Sequence, residues 1–246
     1  MIYIANWKMH GNPRDIASLN PVIKLSKQKK YRNLKIVYCP PYTLLDLMKN
    51  KIKNSKLKLG AQNCHTNSDY GAFTGSINSK MLKFIGAKFV IVGHSENRNL
   101  DDSDLAINKK IKSALKENLK VILCIGETLN ERRKKITKKV LKKQIENGLF
   151  KIRKFNNILF AYEPRWSIGT GLIPKEKDLA NNIKDIKKIL ISSNKKLKNA
   201  KILYGGSVNP SNVKEIMKIK DIKGLLIGGA SLNSKKFIDI IKKSIN

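Results

Sequence analysis

The sequence predicts an α/β protein, a (β/α)8 barrel in a single domain spanning residues 1–246. Three observations predict it. Eight short apolar runs recur along the chain, segments with helical periodicity separate them, and each unit takes about thirty residues. A doubly wound open sheet shows the same alternation. However, no GxGxxG follows the first run, and the count closes at eight.

Each strand follows from a local signal. Ile2–Asn6 is apolar until its last residue, and Lys35–Cys39 (KIVYC) is β-branched and aromatic after its first. Leu57–Asn63 ends in the polar pair Gln62 and Asn63. Phe89–Gly93 and Val121–Gly126 are apolar runs stopped by glycine. Ile158–Glu163 ends in a carboxylate followed by Pro164; Lys201–Tyr204 and Gly224–Ile227 each run into a glycine pair. Between them, SDLAINKKIKSALKEN (103–118) and DLANNIKDIKKILISS (178–193) repeat apolar residues at helical spacing with lysines between. No linker or low-complexity segment divides the chain.

In such a barrel the active site gathers at the carboxyl ends of the strands. Those ends carry Asn6 and Lys8, Gln62 and Asn63, His94, Glu127 and Glu163, then the turns GGS (205–207) and GG (228–229). A charged group at the end of an apolar strand is costly to bury, which marks Glu163 as surface decoration or as a working residue. Lys8 stands at a strand exit, unlike most lysines here, and His94 gains weight from sharing a rim with Lys8 and Glu163. Glycine turns let backbone N–H groups approach an anion, and a helix N-terminus adds its dipole. YGGSV before the helical NPSNVKEIM, and IGGASL before NSKKFIDI, have that form. RWSIGTGLIP, after Glu163–Pro164, reads as a lid: stiff at its start, aromatic, then glycine-rich. Cys124 reads as packing, Glu127 as support, and Trp7 and Trp166 as packing and lid.

The totals restrict the function. Of 51 basic residues only seven are Arg (14, 32, 98, 132, 133, 153, 165), and the formal net charge is +33. A basic footprint suits nucleic acid, but the lysines are spread over nearly every predicted helix and no RNA-binding or zinc-finger signature accompanies them. Lys-rich solvated helix faces account for the charge, so no specific nucleic-acid partner is expected, although the field still attracts anionic substrates. Cys39, Cys64 and Cys124 have no metal spacing and suit a reduced, cytoplasmic protein. The opening MIYIANWKMH has no basic leader and no run is membrane-sized, so no membrane association is expected.

ANWKMH, GAQN, GAFTGS, VIVGHSENR, CIGET, AYEPRWSIGTG, YGGSVNP and IGGASL, in that order across essentially the whole chain, resemble the triosephosphate isomerase family. The resemblance implies a TIM barrel that interconverts dihydroxyacetone phosphate and D-glyceraldehyde 3-phosphate with neither metal nor organic cofactor. Glu163 matches the family's base, and His94 the neutral electrophile for which this family is a known case. Lys8 matches the ammonium that attracts substrate and stabilises enediolate charge, with Asn6 beside it. Gly169, Ser207, Gly228 and Gly229 match the backbone that grips the phosphate. TNSDYGAFTGS (66–76) resembles the loop by which subunits of the family pair, Thr74 reaching Asn6 of the partner subunit, so a homodimer is expected.

The chain departs from the family pattern in several places. Asn97 replaces the first Arg of HSERR, Ser76 a glutamate of the pairing loop, and Lys223 an aspartate before the last strand. Arg165 occupies a hinge place of small aliphatics, and Pro174, lacking an N–H, cannot donate to Tyr204 when the lid shuts. These bear on lid rates and dimer strength. Two rival readings are another phosphate-binding barrel isomerase and a lysine-rich nucleic-acid-binding protein; the Lys8–His94–Glu163 set disfavours the first.

Overall fold

Alternating apolar residues along each run, inward and outward, give every strand two hydrophobic faces, as a sheet covered on both sides requires. The computed structural model describes residues 1–100 and 102–245. Its strands are β1 (Ile2–Asn6), β2 (Lys35–Cys39), β3 (Lys58–Ala61), β4 (Phe89–Val92), β5 (Lys120–Ile125), β6 (Ile158–Tyr162), β7 (Lys201–Tyr204) and β8 (Ile222–Ile227). They pair in chain order, and β8 pairs with β1, closing the barrel. All eight pairings are parallel.

Inward residues such as Ile4, Val37, Ile91, Ile122, Leu203 and Leu226 fill the barrel as one buried cluster. Gly60 leaves room there: a Cβ on it would lie 2.6 Å from Cys39 Sγ. Outward residues, including Tyr3, Tyr38, Val90, Leu123 and Phe160, pack beneath the helices as a second cluster. The longer helices each supply one apolar stripe to that cluster. Helix Glu176–Ser193 buries Leu179, Ile183, Ile186 and Leu190, and helix Ser234–Lys243 buries Phe237, Ile240 and Ile241. Tyr38 and Phe237 meet edge to face at 5.7 Å. Lysines occupy the remaining faces, as the sequence implied.

Strand edges shift by one or two residues; β8, for example, starts at Ile222. One helix moves further: after β7 the chain turns from Gly205 to Asn212 before helix Val213–Lys218 begins. Asn209 Oδ1 accepts the amides of Ser211 and Asn212, and Asn212 Oδ1 accepts that of Asn209. These side chains satisfy the backbone in a turn and postpone the helix. After β8 the chain makes a single 3-10 turn, Gly229–Ser231, before its helix. The rim glycines therefore face the site from turns rather than from α-helix N-termini. Among the described residues, no helix is long and apolar enough to cross a membrane.

Candidate active site

At the carboxyl mouth of the barrel a cavity of about 270 Å³ is lined by Asn6, Lys8, His94, Glu163, Gly169, Ser207, Gly228 and Gly229 together with neighbouring glycines. The parallel register brings these residues, far apart in the chain, to one rim.

Lys8 is held in a costly conformation. Its φ of 54° is left-handed, which side-chain-bearing residues adopt at a cost of about 1–3 kcal/mol. Asn6 Oδ1 accepts the Lys8 N–H at 3.1 Å, and Gln62 Nε2 donates to the Lys8 carbonyl at 2.8 Å. The ammonium then reaches Glu96 Oε1 at 2.6 Å. Of the polar pair ending the third predicted strand, Gln62 thus braces the site. Asn63 turns away to Lys110.

Glu163 is 2% exposed and directly follows β6, which ends at Tyr162 rather than at Glu163 as its predicted range had it. Its Oε1 lies 3.3 Å from His94 Nε2, and its Oε2 accepts the Ser95 N–H at 3.4 Å. Burial raises its carboxyl above the ordinary 4.5, against the lowering effects of His94, Cys124, Ser95 and Lys8. Gly205 makes the room, since a Cβ there would stand 2.8 Å from Glu163 Cγ. On the other side of the imidazole, His94 Nδ1 accepts the Glu96 N–H at 3.3 Å. In a neutral imidazole that bond leaves the ring proton on Nε2, the nitrogen that faces Glu163.

The lid is anchored at both ends. Trp166 Nε1 donates to Glu127 Oε1 at 2.9 Å, Arg132 lies over the Trp166 ring at 4.4 Å, and the Arg165 side chain bonds Asn99. Glu127 also accepts from Tyr162, so it positions the lid rather than facing the cavity. Burial raises its carboxyl too. Gly171 N–H donates to Ser207 Oγ at 3.3 Å, and Ser207 Oγ donates to the Ser167 carbonyl at 2.7 Å. Ser167, inconspicuous in the sequence, is fully buried. Its hydroxyl donates to the Leu172 carbonyl at 2.5 Å and stands 3.4 Å from Tyr204 Oη. Gly206 permits this approach, because a Cβ would lie 2.2 Å from that Tyr204 oxygen.

The three cysteines are free and buried. Cys124 lies against Glu163; burial, then the Glu163 charge, hold its thiol well above its ordinary range. Among the described residues, no three His, Cys, Asp or Glu side chains gather as a metal site.

Acid–base groups meeting glycine turns at the carboxyl mouth place the protein among the (β/α)8-barrel enzymes that handle small phosphorylated substrates. The comparison with known proteins is narrower. The triosephosphate isomerase family matches residues 1–244. A triosephosphate isomerase of Thermodesulfovibrio yellowstonii is 40% identical over 248 residues, covering 97% of each chain. One of Dictyoglomus thermophilum is 41% identical over 248 residues, covering 98% of each. The crystal structure of triosephosphate isomerase from Bartonella henselae aligns with a TM-score of 0.89 at 34% identity, covering 100% of this chain and 99% of that one. The chain belongs to the triosephosphate isomerase family.

Proposed function

We propose that this protein interconverts dihydroxyacetone phosphate and D-glyceraldehyde 3-phosphate by a proton transfer between adjacent carbons, with Glu163 as the base. The observation that carries the assignment is the buried Glu163 carboxylate facing His94 Nε2 in a cavity that Lys8 also enters.

A proton beside a carbonyl is weakly acidic, so its removal needs a placed base and a place for the resulting negative charge. Glu163 takes the proton from the hydroxymethyl carbon, the C–H pair becomes the enediolate C=C bond, and the carbonyl oxygen takes the charge. The His94 Nε2–H and the Lys8 ammonium stabilise that oxygen. His94 helps move the hydroxyl proton from one oxygen to the other, and Glu163 returns its proton to the former carbonyl carbon. Gly169, Ser207, Gly228 and Gly229 present backbone to the phosphate, and Asn6 fixes Lys8. The lid from Arg165 to Pro174 excludes water, which protects an enediolate phosphate from eliminating its phosphate.

Two further readings rest on the family and on exposed surface. Phe73 and Tyr70 of the 66–76 loop are exposed apolar side chains, as are the nearby Met81 and Phe84. An apolar patch of this kind suits a homodimer interface. Buried free thiols suit a reducing cytoplasm.

The test is a coupled assay of triose phosphate interconversion beside Glu163→Gln. Removing the base should cost at least the roughly 10²–10⁴-fold that general base catalysis contributes, with the fold retained. Near-normal turnover in that variant would overturn the assignment.

A further inference from the structure

The excess charge is not spread evenly over the two ends of the barrel. The segments entering the strands read QKKYRNL (28–34), KNSKL (53–57), LFKIRKFNN (149–157) and NKKLKNA (194–200), with no carboxylate among them. The segments entering β4, β5 and β8 add Lys88 and Lys220, and only two acids, Glu117 and Asp221. The carboxyl rim instead mixes its cations with Glu96, Asp102, Glu127 and Glu163. A general drift toward lysine would load both ends alike.

Register concentrates the charge further. Lys35, Lys58, Lys120 and Lys201 are the first residues of β2, β3, β5 and β7. Lys88 precedes β4, and its carbonyl accepts the Lys120 amide at 2.9 Å. Lys223 follows on β8. Among the described residues, none of these six is in an ion pair, while Asp221 is taken by Lys187 at 3.8 Å. They crowd one another: burial first, then Lys35, Lys201 and Lys58, lower the Lys120 ammonium. Burial, then Lys201, Lys35 and Lys223, lower the Met1 amino group.

The surface carrying these cations is hollow. One cavity of about 220 Å³ is floored by Ile2 and Leu159 and rimmed by Lys35, Lys120 and Lys201. A second, of about 510 Å³, is rimmed by Lys35, Lys58, Lys88 and Lys120. The two share Lys35, Phe89 and Lys120, so they adjoin at the amino mouth of the barrel, opposite the catalytic cavity. Converging unpaired ammoniums over a concavity demand a dense, compact negative charge. A polynucleotide groove would instead offer aromatic platforms along a track. Here Phe89 and Phe155 are buried, and Lys120 covers the Phe89 ring at 5.6 Å.

We propose that the amino mouth of the barrel is a second ligand site, which binds a compact oligophosphate: a chain of three or more phosphates, free or as the tail of a nucleotide. The lysines read the phosphate chain alone, and the site leaves the isomerase reaction untouched.

The test is calorimetric titration of the full-length protein with inorganic triphosphate, with saturating dihydroxyacetone phosphate filling the opposite mouth. K35Q/K120Q/K201Q is compared with K139Q/K184Q/K188Q, which removes equal charge from exposed helix faces. The proposal predicts one saturable site that the first triple weakens by more than about tenfold, the effect of losing even one charge-assisted bond. The second triple should change affinity little. Isomerase turnover and circular dichroism should be unchanged in both, and K35R/K120R/K201R should retain binding. Adenosine triphosphate in the same titration separates the sources: equal affinity assigns the free chain, tighter binding the nucleotide. Equal weakening by both triples, or no saturable binding, would overturn the proposal. Length-dependent binding of single-stranded DNA, tighter than triphosphate and lost in the first triple, would also overturn it by making the mouth a polynucleotide surface.

Discussion

Tyr204 Oη lies 3.4 Å from Ser167 Oγ, and the same Ser167 hydroxyl donates to the Leu172 carbonyl at 2.5 Å. Because the Ser167 hydroxyl points its hydrogen at the Leu172 carbonyl, Tyr204 is the donor of the other bond. Burial, only partly offset by Ser167, pushes the Tyr204 hydroxyl up to about 12, so it keeps its proton throughout the working range. The two ends of the lid are thereby joined through a serine, in a chain whose Pro174 has no N–H to offer.

This contact makes Ser167 a positioning residue for the lid. Ser167→Ala should lower kcat/KM by about fivefold, the loss of a neutral hydrogen bond worth about 1 kcal/mol. Tyr204→Phe should do the same, and the double variant should be little worse than either. Steady-state kinetics on the four proteins check this. Independent, fully additive losses would show that the two hydroxyls do not act together.

The buried carboxylate predicts the acid limb of the pH profile. Glu163 must be ionised to take a proton, and burial raises its carboxyl above 4.5. In the free enzyme kcat/KM should therefore fall on acidification with a midpoint above 4.5. A limb at or below 4.5, recorded over a pH series, would contradict the burial of the base.

Stability should show the same shift with the opposite sense. The folded protein holds the Glu163 proton more tightly than the unfolded chain, so ionisation costs stability. That cost is absent well below 4.5, grows as pH rises toward the folded value, and is complete above it. Glu163→Gln should melt higher than the parent at neutral pH, about 2–4 °C for each 1 kcal/mol relieved. The advantage should vanish on acidification. Thermal melts at neutral and acid pH decide it, and a lower melting temperature at pH 7 would refute it.

Net charge sets a further expectation. In the homodimer proposed above, two subunits of +33 would repel, and salt would screen that repulsion. Moderate salt should tighten dimerisation while slowing capture of the dianionic substrate. Sedimentation and kcat/KM measured across one salt series test both at once; salt-independent values would remove charge from the account.

Much of this was legible in the sequence because strand periodicity and strand ends carry it. Three of the eight predicted strand ranges, Ile2–Asn6, Lys35–Cys39 and Lys201–Tyr204, coincide with the observed ones, since each is an apolar run with a sharp polar boundary. The gathering of Asn6, Lys8, His94 and Glu163 around one cavity was legible because parallel strands of a barrel put their carboxyl ends on one rim. Asn209 and Asn212 hid the late start of the helix after β7, as their side chains compete with helix formation without altering periodicity. Ser167 left no signal beside Trp166, because a serine in a glycine-rich turn needs no explanation until its neighbours are known. Glu96 carried no signal of its own in the sequence; only geometry shows it holding Lys8. The asymmetry of the lysines was hidden in the total, since it appears only when the segments are sorted by the end of the barrel they reach.

The central claim is that Glu163 carries a proton between adjacent carbons. Dihydroxyacetone phosphate incubated with the enzyme in deuterium oxide, followed by proton NMR, tests it directly. The account predicts that the parent enzyme places solvent deuterium on the reacting carbon, and that Glu163→Gln, folded, places almost none. Undiminished labelling by Glu163→Gln would take the proton away from Glu163 and contradict the account.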